Sequence, residues 1–174
     1  NTGLVPVLPK IEGLNLSERI HTSETIMDLE IFPESLAIIG SGYIGLEFTS
    51  TYSLFGSKVT VFGDNPKFLP RDDEDIAGLV MDELKAQGAT FLLGTKVTRF
   101  EEVSDGVNVY FENAEGKEEV KKFSAVLVAT GRRPDTQELS LDKAGVKVGE
   151  RGEIPVNDRL ETNVPNIYAL GDVH

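Results

Sequence analysis

Residues 36–47 limit what this chain can fold into more than any other stretch. Leu36-Ala37-Ile38-Ile39 is a short apolar run that ends in glycine, as a strand buried on both faces does. Gly40-Ser41-Gly42-Tyr43-Ile44-Gly45 follows. Residues 43–55 then carry Ile44, Phe48, Tyr52 and Phe55 at helical spacing, with Gly56 as the stop. Lys58-Val59-Thr60-Val61-Phe62 is a second β-rich run, so strand, helix and strand make one βαβ unit. In that setting each glycine has a task. Gly40 permits the tight turn, Gly42 leaves the backbone bare for a pyrophosphate, and Gly45 lets the helix pack close to the strand. The helix N-terminus offers N–H groups and a partial positive charge to the diphosphate, reached first through the amides of Tyr43 and Ile44. The pattern predicts a dinucleotide site between residue 36 and about residue 64.

The second strand of such a unit should close on an acidic residue that accepts hydrogen bonds from the ribose hydroxyls of NAD. Aligned by the end of the run, that place falls on Gly63, which has no side chain. Asp64 comes next; it either takes over the role or belongs to the loop Asp64-Asn65-Pro66. No Arg stands between Gly63 and Pro70 to meet a 2′-phosphate, which favours NADH over NADPH. Arg71 would reverse that preference if its loop folded back.

The remainder reads as an α/β chain. Residues 1–35 are rich in Pro and Gly and read as an entry linker with a turn or short helix near residues 25–29. Asp72 is the expected N-cap of a second helix whose buried stripe is Ile76, Leu79, Val80 and Leu84, with Gly88 as its end. The acidic run Asp72-Asp73-Glu74-Asp75 suits a helix N-terminus better than a metal. A third strand is expected over 89–93. Runs at 96–103, 107–112 and 117–122, separated by Ser104-Asp105-Gly106 and Asn113-Ala114-Glu115-Gly116, predict a three-stranded antiparallel meander. Ala125-Val126-Leu127-Val128-Ala129 predicts another buried strand, and from Arg132 onward short pieces rich in Pro, Gly and Asp suggest part of a second domain.

Composition excludes several classes. A net charge of −12 repels a nucleic-acid backbone. It repels a dinucleotide too, so local groups must hold one. The chain has no cysteine, hence no disulfide, thiolate nucleophile or Cys-type metal site. His21 and His174 are too scattered to build a metal cluster. No apolar run approaches the roughly 18–20 residues of a membrane span. The N-terminus has no initiating Met or charged leader, so it looks cut from a longer protein, and cytoplasm is the default compartment. No Ser/Tyr/Lys or His/Asp set offers a proton relay, which argues against a simple dehydrogenase and leaves no catalytic residue to name here.

Several ordered motifs make the chain resemble the pyridine-nucleotide-disulphide oxidoreductases, FAD flavoproteins that include lipoamide dehydrogenase, glutathione reductase and mercuric reductase. They are Thr2-Gly3 with Pro6 and Pro9; the glycine turn through Leu46-Glu47; Gly56-Ser57-Lys58-Val59-Thr60-Val61; Leu69-Pro70-Arg71-Asp72; Ala129-Thr130-Gly131-Arg132-Arg133-Pro134; and Asn166-Ile167-Tyr168-Ala169-Leu170-Gly171-Asp172. The resemblance implies a Rossmann-like three-layer NAD-binding domain with a parallel sheet and an antiparallel meander, over residues 23–130. It is flanked by pieces of an FAD domain, an exit segment at 1–22 and a return segment at 131–174. It implies that Tyr43 covers the nicotinamide pocket and that Glu47 faces the flavin–nicotinamide junction. Val97 would touch adenine and Gly131 would lie near the cofactor; Arg132 and Asp172 would belong to FAD binding in the whole protein. Read without the family, Tyr43 is an aromatic packing on the sheet, Glu47 a solvated helix residue, Val97 a strand residue and Arg132 a surface charge. The implied function is to hold NAD(H) for hydride transfer to FAD, in a homodimer built with FAD and dimerisation domains, this segment alone being inactive. Alternatives are a related flavoprotein without a redox disulphide, such as an NADH oxidase or ferredoxin reductase, or a non-catalytic NAD-binding module.

Overall fold

The apolar runs become the inner strands of one parallel sheet. The computed structural model describes residues 1–174. In chain order its strands and α-helices are β1 (Leu4–Pro6), β2 (Ile20–Thr22), β3 (Ser35–Ile39), α1 (Tyr43–Leu54), β4 (Lys58–Gly63), α2 (Glu74–Ala86), β5 (Thr90–Leu93), β6 (Lys96–Val103), β7 (Gly106–Glu112), β8 (Glu118–Phe123), β9 (Ala125–Val128) and β10 (Arg132–Pro134). They fall into two units, Leu8–Gly131 and Asn1–Val7 with Arg132–His174.

In Leu8–Gly131 five parallel strands lie in the order β2-β9-β3-β4-β5. Their alternation sorts the core. Leu36, Ile38, Val59, Val61 and Leu127 join Tyr52 of α1 on one face. Ala37, Ile39, Phe62, Val126 and Val128 join Phe111 and Phe123 of the antiparallel β6-β7-β8 sheet on the other. There Phe62 meets Phe111 and Phe123 edge-on, with centroids 5.0 and 5.9 Å away. This is the expected three-layer α/β architecture, with the meander in its expected place.

Each helix buries only part of its expected face. On α1 the buried residues are Gly45, Leu46, Thr49, Tyr52 and Ser53, while Ile44 and Phe48 are half-buried and Phe55 is 69% exposed. Gly45, Thr49 and Ser53 bring the helix close to its strand, Leu46 and Tyr52 pack in the core beside them, and Phe55 at the end of the helix is left outside. On α2 Leu84 is buried as expected, but Ala77 and Met81 complete the buried stripe in place of Ile76 and Leu79, which are 58% and 67% exposed. Its N-cap is Asp73, not Asp72. The Asp72 amide closes a turn on the Leu69 carbonyl at 3.0 Å, and its carboxylate accepts from Tyr43 instead of from the start of α2.

The stretch read as a linker also holds structure. Ile26–Asp28 forms the expected short turn, but β2 extends the parallel sheet beside β9 and Glu12 bridges to Arg99. These pairings carry the unit upstream to Leu8. The second unit contains the antiparallel pair β1–β10 and a small cluster of Val146, Ile154, Ala169 and Val173. No helix is long and apolar enough to cross a membrane.

Candidate functional site

The order of the parallel strands places one crevice. From β3 the chain builds outward through β4 to β5, then returns on the far side of β3 as β9. The direction of growth reverses between β3 and β9, and open α/β sheets bind ligands beyond the strand ends at such a point. Gly40 stands there. Its φ is +112°, and a Cβ would sit 2.4 Å from the Ala129 carbonyl oxygen at the end of β9. Gly40 N–H donates to the Phe62 carbonyl at 2.8 Å, so the turn is tied to β4 as well.

The three glycines differ in the way a diphosphate cradle requires. A Cβ on Gly45 would lie 2.2 Å from the Gly40 carbonyl oxygen, so α1 can seat only with glycine there. A Cβ on Gly42 would meet nothing within 4 Å, so the space above this residue is open. Gly42 is the N-cap of α1, with no side-chain hydrogen bond, and Leu46 N–H is the first to close on its carbonyl, at 3.0 Å. The amides of Tyr43, Ile44 and Gly45 therefore precede the first helical bond and face the start of the helix with its partial positive charge. Thr49 buries its hydroxyl by donating to the Gly45 carbonyl at 2.7 Å, which fixes this first turn.

The strand-end position is decided by a neighbour that sequence inspection missed. β4 runs through Gly63, and a Cβ there would lie 2.7 Å from Ser41 Oγ and 2.9 Å from Leu93 Cδ2. Ser41, the second residue of the glycine turn, fills the space a side chain would need. The nearest carboxylate in sequence, Asp64, is exposed just past the strand. The loop ahead of α2 reaches the start of α1 through Asp72: the Tyr43 phenol donates a hydrogen bond shared between the two Asp72 carboxylate oxygens at 3.0 and 3.1 Å. That bond, with the carboxylate's charge, raises the Tyr43 phenol above its ordinary value, and Arg71 nearby opposes the rise.

A family model described as pyridine nucleotide-disulphide oxidoreductase matches residues 1–174. The chain belongs to that family. It is 40% identical over 173 residues to the probable pyridine nucleotide-disulfide oxidoreductase RclA of Escherichia coli, covering 99% of this chain and 38% of the relative. It is 40% identical over 174 residues to the dihydrolipoyl dehydrogenase of Thermus scotoductus, covering 99% and 37%. The solved structure of the HOCl-induced flavoprotein disulfide reductase RclA from Escherichia coli superposes with a TM-score of 0.92 at 38% identity, over 99% of this chain and 39% of that one. The chain thus spans less than two-fifths of the length of these relatives.

The remaining residues named from the family motifs are dispersed. Glu47 is exposed on α1. Val97 is buried in the sheet–meander cluster beside a register shift in β6, so its backbone, not its side chain, is what it could present to a ligand. Gly131 follows β9 with φ +150°. In the other unit Arg132 donates to the Leu4 carbonyl at 2.6 Å, and Asp172 is exposed on a short 3-10 turn. Ser41, Asp72 and Ala129 are the site neighbours that sequence inspection did not single out. The motif Leu69-Pro70-Arg71-Asp72 was the one signal that could have pointed to Asp72.

Proposed function

We propose that the unit Leu8–Gly131 is the NAD(H)-holding domain of an FAD-dependent pyridine nucleotide-disulphide oxidoreductase. The observation that carries this reading is the open, uncapped α1 N-terminus at Gly42, set where the strand order reverses and flanked by glycines that close packing demands at positions 40 and 45. The amides of Tyr43, Ile44 and Gly45 would hold the diphosphate, Asp64 the adenosine ribose, and the backbones of Val97 and Gly131 would border the cofactor. Tyr43 and Glu47 would lie on the nicotinamide side. When bound, the nicotinamide supplies a hydride that the family's flavin accepts. This unit contributes orientation: it holds one end of the cofactor rigidly so that the other end is presented in a fixed pose.

Asp64 also bears on cofactor choice. A carboxylate at the strand end accepts ribose hydroxyls and repels a 2′-phosphate, so NADH is preferred to NADPH. Calorimetric titration of the chain with each cofactor, followed by amide shifts at Gly42 and Gly45, tests both points. Tighter NADPH binding would reverse the preference, and silent amides at millimolar cofactor would remove the reading. In the whole protein Arg132 and Asp172 would serve FAD, and a homodimer would form through further domains. The chain alone binds cofactor without turnover; NADH-driven dye reduction by it would contradict this.

A further inference from the structure

The end of β4 lacks the acid that an adenosine ribose meets in a dinucleotide-binding βαβ unit, and a hydroxyl occupies the space such a side chain would need. We propose that Ser41 supplies the ribose contact that Gly63 lacks, so that Ser41 and Asp64 hold the adenosine ribose together while Asp64 alone disfavours a 2′-phosphate. The proposal rests on the reading of the glycine turn as a nicotinamide-cofactor site.

A Cβ on Gly63 would lie 2.7 Å from Ser41 Oγ, 3.2 Å from Ser41 Cβ and 2.9 Å from Leu93 Cδ2. An acidic side chain carries its oxygens at a similar distance from its own Cβ. Ser41 thus brings to the strand end an oxygen that Gly63 cannot. The turn that carries it is fixed to β4, because Gly40 N–H donates to the Phe62 carbonyl at 2.8 Å. Nearby hydroxyls are used within the chain: Thr49 donates to the Gly45 carbonyl and Thr95 to the Leu92 carbonyl, both at 2.7 Å. Ser41 is half-buried, and its hydroxyl makes no hydrogen bond within the chain.

Asp64 follows one residue past Gly63 and is exposed, with its backbone pinned on both sides. The Gly63 carbonyl accepts from Thr95 N–H at 2.9 Å, and the Asn65 carbonyl accepts from Gly94 N–H at 3.2 Å. Asn65 Oδ1 accepts from Lys67 N–H at 2.8 Å, which closes the loop on itself. A single strand-end acid both accepts from ribose hydroxyls and repels a 2′-phosphate. Here the two tasks are separated. A neutral hydroxyl, able to donate and to accept, adds affinity for either cofactor, and the discriminating charge sits on Asp64.

The test is calorimetric titration of the chain, Ser41→Ala and Asp64→Asn with NADH, NADPH and the two NADH analogues that lack the 2′- or the 3′-hydroxyl of the adenosine ribose, with the Gly42 and Gly45 amides followed by NMR. Ser41→Ala should weaken NADH and NADPH alike, about fivefold. With one of the two deoxy analogues it should lose nothing further, because the contact is already missing there. Asp64→Asn should instead narrow the gap between NADH and NADPH at least about fivefold. Ser41→Ala should melt with the parent chain, since its hydroxyl ties nothing together within the fold. Gly63→Glu alone meets Ser41 Oγ and Leu93 Cδ2 and should bind NADH about tenfold more weakly. Combined with Ser41→Gly it regains room for the acid and should return to within about threefold of the parent. If the amides report NADH binding while Ser41→Ala stays within about twofold of the parent, or loses as much affinity for both deoxy analogues as for NADH, Ser41 has no part in the ribose site and the cofactor site stands. If those amides stay silent in every variant at millimolar NADH, the cofactor site is wrong and the assignment of Ser41 falls with it.

Discussion

Helices α1 and α2 both follow the C-terminal ends of neighbouring parallel strands, β3 and β4, and their N-termini are finished in opposite ways. At α2 the Asp73 side chain accepts from the amides of Asp75 and Ile76 at 3.1 and 3.4 Å, and Glu74 and Asp75 add carboxylates to the first turn. At α1 the cap is Gly42, no side chain bonds to it, and the first turn has no acidic residue. A helix start carries about half a positive charge, which carboxylates stabilise. The chain has 29 Asp and Glu, so their absence from the first turn of α1 is not a shortage. One positive end is satisfied by the chain itself; the other is left for an anion from outside. In this molecule the site is legible through what is withheld as much as through what is supplied.

The comparison can be broken most severely at Gly45. Gly45→Val puts a Cβ 2.2 Å from a backbone oxygen, so α1 cannot seat, and a thermal melt followed by circular dichroism should show no cooperative transition. A subtler reversal makes α1 resemble α2. Gly42→Asp is sterically free, since its Cβ meets nothing within 4 Å and φ is −82°. The new carboxylate should cap the helix, leave or raise the melting temperature, and weaken NADH binding at least about tenfold by calorimetry. The converse variant, Asp73→Ala, should cost about 1 kcal/mol in a urea melt and leave NADH affinity unchanged. If Asp73→Ala weakened cofactor binding instead, the two helix starts would not be separable.

The smallest effect lies away from both helix starts. Burial pushes the His21 imidazole below its ordinary value of 6.5, partly offset by its hydrogen bond to the Glu18 carbonyl at 3.1 Å and by the charge of Glu102. Above the ordinary value neither state is protonated and His21 has no effect. As pH falls through 6.5 the unfolded chain takes up the proton first, so stability declines until the folded value is passed, then levels. Urea melts between about pH 7.5 and 5.5 should show this decline, His21→Gln should flatten it, and Gly42→Asp should leave it unchanged.

Local patterns are legible where neighbours in sequence decide the outcome. The βαβ unit, the meander turns and the strand at 125–128 follow from alternation, helical spacing and glycine or Asx turns. The faces of α1 and α2 follow only in part from apolar spacing, because which side chains are covered depends on how close each helix lies to the sheet. Gly45 and Ala77 bring their helices in at small residues, and the larger Phe55, Ile76 and Leu79 are left outside. The three-residue strands β1 and β2 are too short to carry a period at all.

By itself the amino-acid order determined that a strand, a glycine turn and a helix start would meet, because those choices are made by torsion preferences and side-chain spacing within a dozen residues. Only the tertiary structure decided that β9 returns beside β3, that Ser41 takes the room beside Gly63, and that Asp72 reaches Tyr43. Each of these joins residues brought together by the packing of whole elements. No local preference encodes such a distance, so the crevice, its missing side chain and its tether emerge only when the sheet is assembled.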